Sequence, residues 1–279
     1  MSRVAIATCV GADDPDSRTL LDALALEGVE GELAVWDDGA ADWRAFDLVV
    51  IRSTWDYAPR RDEFLEWART VERLVNPYEV VRYSTDKHYL ADLAARGQRV
   101  IPSTFCDVGE EAVWPDGAFV VKPCVGAGSI DAERYGFLDH ELALRHVRHL
   151  HDAGRDVVIQ PYVESVDEVG ERALIFIGGS FSHAMTKKAM LNVAHDARDV
   201  LFRREQMSLA VGEPDAIAFA QSILDNERFA DLLYARVDVV TTPDGWALME
   251  LELVEPSLFL DYDSSAAGRL ARAIVSRLA

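Results

Sequence analysis

The sequence predicts an α/β fold that becomes α+β towards its C-terminus. Three observations carry that prediction. The opening alternates apolar strand-like runs with amphipathic helical stretches, the pattern of a parallel sheet with crossovers. From Ala173 onwards strand-like runs follow one another across short turns, the pattern of antiparallel hairpins. The length of 279 residues allows about two domains, or one large α/β unit.

Taken in order, Val4–Val10 is a short apolar run and Ser17–Glu27 carries leucines at 20, 21, 24 and 26, which suits one helix face. Gly31–Trp36 and Leu48–Arg52 read as the next two strands. The first turn holds Asp13, Asp14 and Asp16 and no GxGxxG. Three aspartates there would repel a pyrophosphate, which argues against a dinucleotide site. Arg61–Leu74 reads as a helix closed by the breaker pair Asn76-Pro77, with a domain boundary near 80–86. Asp86–Arg96 is helical up to Gly97, a C-cap residue, and Pro102 opens an extended segment. Phe119–Lys122 is a strand, Glu141–Ala153 a helix and Val157–Tyr162 a strand. Ala173–Ile177, a Gly178-Gly179 turn and Phe181–Lys187 form a hairpin. Residues 213–228 are helical. Tyr234–Val240 and Trp246–Val254 flank a Thr-Thr-Pro-Asp-Gly turn, and the last twelve residues read as an amphipathic helix.

Composition narrows the functional classes. Hydrophobic residues are 49% and charged residues 27%, an ordinary globular balance that excludes disordered, collagenous and coiled-coil chains. Asp plus Glu is 48 against 28 Lys plus Arg, a net charge of −20. Broad nucleic-acid or anionic-membrane surfaces need basic patches, so neither partner is expected. An anionic small ligand is still allowed where a few cations focus in one cleft. Cys9, Cys106 and Cys124 are odd in number with no CxxC spacing, which fits a reduced, cytoplasmic protein. The N-terminal apolar run is too short for a signal-peptide core or a membrane span.

Three constellations could carry chemistry. In the last hairpin, strand alternation puts Glu250 and Glu252 on one face and the leucines on the other. If Val240 pairs with Trp246, Asp238 shares that face as a diagonal neighbour of Glu250, roughly 7–8 Å away. Three converging carboxylates call for a cation between them, and oxygen-only ligands suit magnesium; a solvated acidic strand face is the alternative. In Lys122-Pro-Cys-Val-Gly-Ala-Gly-Ser129, a strand ending in lysine runs into a loop with Gly126, Gly128 and Ser129. Such a loop can offer backbone N–H groups and an ammonium to phosphates, or be a plain turn; its spacing is not that of a Walker loop. The third is a set of cations in a cation-poor chain: Lys87, Lys122, Arg172, Lys187, Lys188, Arg203, Arg204 and Arg236. Arg52, after the third strand, could fork onto a substrate carboxylate or pair with a nearby acid. His146, His149 and His151 do not share one helix face and have no partner to complete a zinc set, and Cys124 has no evident partner base.

These segments, in this order, resemble the ATP-grasp superfamily across nearly the whole chain. The resemblance rests on Asp86-Lys87, Val-Val-Lys-Pro-x-x-Gly-x-Gly-Ser129, Gln160-Pro-Tyr-Val163 and the Asp238/Glu250/Glu252 hairpin. Arg52-Ser-Thr-Trp-Asp-Tyr57, Gly170-Glu-Arg-Ala-Leu-Ile-Phe176, Ser182-His-Ala-Met-Thr186 and Glu250-Leu-Glu-Leu-Val-Glu-Pro-Ser257 resemble the cyclo-ligases of its glutathione-synthetase-like group. The resemblance implies a Rossmann-like domain over 1–85, a lid subdomain over 86–158 and a C-terminal subdomain over 159–279, the last two sandwiching ATP. It implies that Lys87, Lys122, Gly126, Gly128 and Ser129 hold phosphates. Gln160, Pro161, Tyr162 and Val163 would read adenine and Glu168 the ribose. Arg172, Lys187 and Arg236 would serve the transferred phosphoryl group, and Arg203 a closing loop. Asp238, Glu250 and Glu252 would bind two magnesium ions, Glu252 standing where many relatives have Asn. Arg52, Glu255 and Ser257 would face the substrate. The implied reaction is ATP-driven closure of O-ureido-D-serine to D-cycloserine through an acyl phosphate. An intermolecular carboxylate–amine ligase and a nucleotide-binding module without turnover are the alternatives. The partner is a small amino-acid-like molecule, and the oligomeric state stays open, a homo-oligomer included.

Overall fold

A computed structural model describes residues 1–188 and 207–278. The chain opens with β1 (Arg3–Thr8), α1 (Pro15–Leu26), β2 (Glu30–Val35), β3 (Leu48–Ser53), α2 (Arg61–Thr70), β4 (Leu74–Val75) and α3 (Tyr78–Ser84). These strands form a parallel sheet in the order β2-β1-β3-β4. Asp14 caps α1 by accepting from Asp16 N, with Pro15 in the first turn. All six residues of β3 are buried, because the sheet is covered on both faces: by α1 on one, and by a cluster containing Trp36, Tyr57 and Phe64 on the other. The expected helix Arg61–Leu74 stops at Thr70, since Leu74 and Val75 join the sheet beside Val49 and Val50. The Asn76-Pro77 pair does not end the local structure. Pro77 is the N-cap of α3, for a preset φ suits a helix start as well as a stop.

Next come α4 (Tyr89–Ala95), β5 (Thr104–Cys106), β6 (Phe119–Pro123), β7 (Glu133–Tyr135), α5 (His140–Asp152) and β8 (Val157–Pro161). The strands make an antiparallel sheet, β5-β8-β6-β7. One face packs on Ala143, Val147 and Leu150 of α5. Along β6, Phe119, Val121 and Pro123 are buried while Val120 and Lys122 are half-buried on the opposite face. The expected boundary at 158/159 falls inside β8, whose Ile159, Gln160 and Pro161 pair with Val121, Val120 and Phe119. The boundary at 85/86 also divides a packed unit: Val80, Tyr89, Leu90 and Leu93 share a core with Leu174 and Leu251 of the C-terminal sheet.

That sheet follows from α6 (Ser165–Glu168), β9 (Glu171–Ile177), β10 (Ser180–Lys187), β11 (Met207–Ala210), α7 (Pro214–Leu224), β12 (Tyr234–Thr242), β13 (Gly245–Glu252) and α8 (Ala266–Val275). Its order is β11-β10-β9-β12-β13, all antiparallel. Residues alternate between two cores. Leu174, Phe176, Val237 and Val239 face one; Ala173, Ile175, Ile177 and Tyr234 face the other, shared with α1 and α8. Among the described residues no helix is long and apolar enough to cross a membrane.

The expected Val240–Trp246 pairing is not formed. Val240 pairs with Ala247 and Thr241 with Trp246, and a bulge follows, so that Asp238 lies directly opposite Glu250 and Arg236 opposite Glu252. The extra residue is Met249, which lines the cleft beside Glu250 while Leu248 and Leu251 remain in the core. A bulge places two residues of one strand against one of the other. Here it lets an apolar stretch continue into an acidic one on the same face.

Candidate active site

A cleft lies between the second and third sheets and reaches the N-terminal sheet; its empty volume, the open mouth included, is about 1450 Å³. At one end is the loop after β6. Gly128, Ser129 and Asp131 have φ of 60°, 56° and 58°, a left-handed path that turns the backbone of 126–131 around the cleft end. Gly126 approaches closely: a Cβ there would lie 3.0 Å from Pro123 Cγ. Lys87 is stitched to this loop, its N–H donating to Cys124 O at 2.9 Å and its ammonium to Gly126 O at 3.2 Å.

The middle of the cleft is a charge network. Lys87 pairs with Glu250 at 3.0 Å. Asp238, 0% exposed, accepts from Lys187 at 2.8 Å and from both Arg236 Nε and Nη2 at 2.9 and 3.1 Å. Arg236 also holds Glu252, and Lys187 lies 3.5 Å from Glu171. Burial disfavours the charge on Glu250, but Lys87, then Lys122 and Lys187, overcome it and hold its carboxyl well below the usual carboxylate range. On Glu252 burial wins, helped by the charges of Asp238 and Glu250 against Arg236, and the carboxyl is pushed up to about 8. Burial, then the like charges of Lys87 and Lys187, lower Lys122. Lys87, Lys122, Lys187, Lys188 and Arg236 thus face Glu171, Asp238, Glu250, Glu252 and Glu255, near neutrality in a chain of net charge −20.

Glu250 and Glu252 face the cleft, whereas Asp238 lies behind them. The facing donors are all oxygens, which suits a hard divalent cation. Burial raises Glu252 first and the charges of Asp238 and Glu250 add to it; such an ion would relieve that second part. The Gln160–Val163 segment forms one wall. Gln160 donates to Ser103 Oγ at 2.9 Å, Tyr162 N to Ala118 O at 2.8 Å, and Val163 joins Met249 beside an apolar patch of Ile101, Val166, Val240 and Ala247. Glu168 is exposed and outside the cleft. The carboxylate that meets the wall is Asp167, which accepts from Tyr162 OH at 2.5 Å and pairs with Arg134, itself stacked over Tyr162 at 3.5 Å.

The far end is lined by Trp55, Tyr57, Glu255 and Ser257. Trp55 and Tyr57 were missed as individual residues, although their motif was singled out; aromatic side chains in a strand-to-helix turn look like core. Glu171 likewise sits inside a motif that was singled out, Gly170–Phe176, without being named itself, and Met249 carried no sequence signal. Arg52 does not reach the cleft. It is 1% exposed, donates to Pro256 O at 2.8 Å and lies 3.4 Å from Asp16, which accepts the N–H groups of Leu258, Phe259 and Leu260. Arg172 also turns away, to Glu213 at 3.0 Å and Val169 O at 2.9 Å. Arg203 lies outside the described residues.

Residues 4–76 match the family described as D-cycloserine synthetase DcsG, N-terminal domain. The cycloserine biosynthesis protein DcsG of Streptomyces lavendulae is 40% identical over 289 aligned positions, 95% of this chain and 94% of that one. The crystal structure of D-cycloserine synthetase DcsG superposes with a TM-score of 0.88 at 36% identity, covering 100% of both chains. A RimK domain ATP-grasp protein from Sphaerobacter thermophilus shares the fold at a TM-score of 0.71 and 19% identity, over 98% of this chain and 100% of that one.

Proposed function

The chain belongs to the D-cycloserine synthetase family of ATP-grasp ligases, and we propose that it closes the ring of D-cycloserine from O-ureido-D-serine. One observation carries the proposal: a single cleft joins the lysine-bearing glycine loop, the carboxylate–cation network and the Trp55/Tyr57/Glu255/Ser257 end. A nucleotide and a small amino acid can therefore meet in one cleft.

Lys87, Lys122 and the N–H groups of 126–129 would hold the phosphates of ATP, with the Gln160–Val163 wall against the base. Glu250 and Glu252 would hold magnesium, the sequence expectation being two ions with Asp238 as a further ligand. Bound there, magnesium would neutralise charge on the transferring phosphoryl group. A free carboxylate resists nucleophiles, so the substrate carboxylate takes the γ-phosphoryl group and ADP is released. Lys187 and Arg236 meet the charge that develops in that transfer. A nitrogen of the same molecule then attacks the acyl phosphate and inorganic phosphate departs. Holding both ends of one molecule in a closed cleft gives that attack a high effective concentration. Hydrolysis of the ureido group consumes one water and releases carbon dioxide and ammonia. The three free, buried cysteines support a reducing, cytoplasmic setting.

The test is ADP and phosphate release with ATP, magnesium and O-ureido-D-serine, with products identified by mass. The expected result is release that depends on this substrate alone and a cyclised product. Release only after a second amine is added would replace ring closure by an intermolecular ligase. Measurable ATP binding without release on any acid would leave a binding module.

A further inference from the structure

We propose that Glu255 is the proton acceptor for the attacking nitrogen and that Tyr57 is its positioning residue. This rests on the ring-closure proposal and names the group that completes it.

Five carboxylates stand around the cleft, and their partners divide them; Glu171 lies against Lys187. Asp238 holds Lys187 and Arg236, Glu250 holds Lys87, and Glu252 holds Arg236. Glu255 differs. Among the described residues it makes no ion pair, and the polar groups beside its carboxylate are the neutral hydroxyl of Tyr57 and its own backbone N–H. A carboxylate locked to a lysine or guanidinium already has its oxygens occupied by that partner. One that is buried beside a neutral donor can take up a proton and release it.

The placement is also fixed. Tyr57 is 3% exposed. Burial, then the charge of Glu255, pushes its hydroxyl well above the ordinary tyrosine range, so it remains a donor. Trp55 Nε1 lies 3.4 Å from Glu255 O, Arg52 donates to Pro256 O at 2.8 Å and Arg236 donates to Ser257 O at 3.3 Å. Three side chains, from β3, the 3₁₀ turn after it and β12, thus pin three consecutive carbonyls and hold the 255–257 segment at the cleft wall. The charged and titratable groups around Glu255 include Tyr57 from the 3₁₀ turn after β3, Lys87 ahead of α4, Tyr234 on β12 and Glu250 on β13. Burial pushes the Glu255 carboxyl up to about 7 against the hydrogen bond of Tyr57 and the charge of Lys87. A general base works best with its pKa near the working pH.

In the step, the nitrogen lone pair attacks the acyl carbon and the C–N bond forms. The C–O bond to the phosphoryl group breaks, and inorganic phosphate leaves with that electron pair. The proton on nitrogen passes to a Glu255 carboxylate oxygen and later to water.

Glu255→Gln, Glu255→Asp and Tyr57→Phe test this in the full-length enzyme with ATP, magnesium and O-ureido-D-serine. ADP and ring product are counted separately, and the acyl phosphate is trapped with hydroxylamine. Glu255→Gln is expected to keep forming ADP and trappable acyl phosphate while ring formation falls about 100-fold or more. Glu255→Asp should recover part of the loss. Tyr57→Phe removes a donor to the charged carboxylate, so the acid limb of the pH–rate profile should move to higher pH. Equal loss of ADP and ring product in Glu255→Gln, or a raised KM with unchanged ring yield per ADP, would overturn the assignment. Failure of the ring-closure proposal would appear in the wild-type enzyme, and failure of this assignment only in the ratio of the two products among variants.

Discussion

At the scale of single residues, the hairpin carboxylates do structural work. Asp238 is fully buried and binds two cations, Lys187 and Arg236. Removing one partner of a buried ion pair leaves the other charge uncompensated, at a cost of about 3–5 kcal/mol. Asp238→Asn should therefore lower unfolding stability by roughly that amount, measured by urea denaturation without nucleotide. A change within experimental error would mean that Lys187 and Arg236 find other partners. Asp238, Glu250 and Glu252 were legible in the sequence because strand alternation puts like residues on one face. Asp238's place behind the other two was not, since alternation says nothing of depth. Arg52 illustrates the same limit. An arginine at the end of a parallel strand suits a ligand, yet its side chain serves the carbonyl of Pro256 and the carboxylate of Asp16.

At the scale of elements, caps and bulges decide where the cleft groups stand. Asp263 precedes α8 and accepts from Ser265 N at 2.9 Å, Ser265 Oγ at 2.8 Å and Arg269 Nη2 at 2.9 Å. Arg269, then the N–H and hydroxyl of Ser265, hold its carboxyl well below the usual carboxylate range. A depressed folded value makes the charged form the stabilising one. The contribution is complete above the unfolded value of about 3.9 and is lost as pH falls through the folded value. Asp263→Asn should flatten the acid side of the stability–pH curve in that window and leave its neutral slope unchanged; an unaltered acid side would contradict the coupling. Long periodic elements such as α5 and the β12–β13 hairpin were legible from their patterns. The two-residue β4, the three-residue β7 and the single-turn α6 were not, because so few residues establish no period. The Met249 bulge was also hidden: an extra residue looks like continued alternation until a partner strand sets the register.

At the scale of the whole molecule, two cores tie the sheets together. α1 and α8 lie against each other with Leu20, Leu24, Leu270 and Ile274 in one cluster, which continues into Ile175 and Tyr234 of the C-terminal sheet. The near end of that sheet face is therefore apolar, and its far end, at Lys187, Arg236, Glu250 and Glu252, opens to the cleft. The fold class and the order of the motifs could be taken from the sequence because most of the motifs lie on a strand or at its end. The unit boundaries could not. β8 runs unbroken across one expected boundary and pairs with β6, α3 and α4 pack together across the other, and composition does not change at either. The central claim is that the substrate carboxylate is activated as an acyl phosphate inside this one cleft. The most direct measurement places a heavy-oxygen label in the carboxylate of O-ureido-D-serine and follows it into the inorganic phosphate released with ADP. Each phosphate should carry one labelled oxygen from the substrate. Phosphate released without label, alongside ring product, would contradict the acyl-phosphate route.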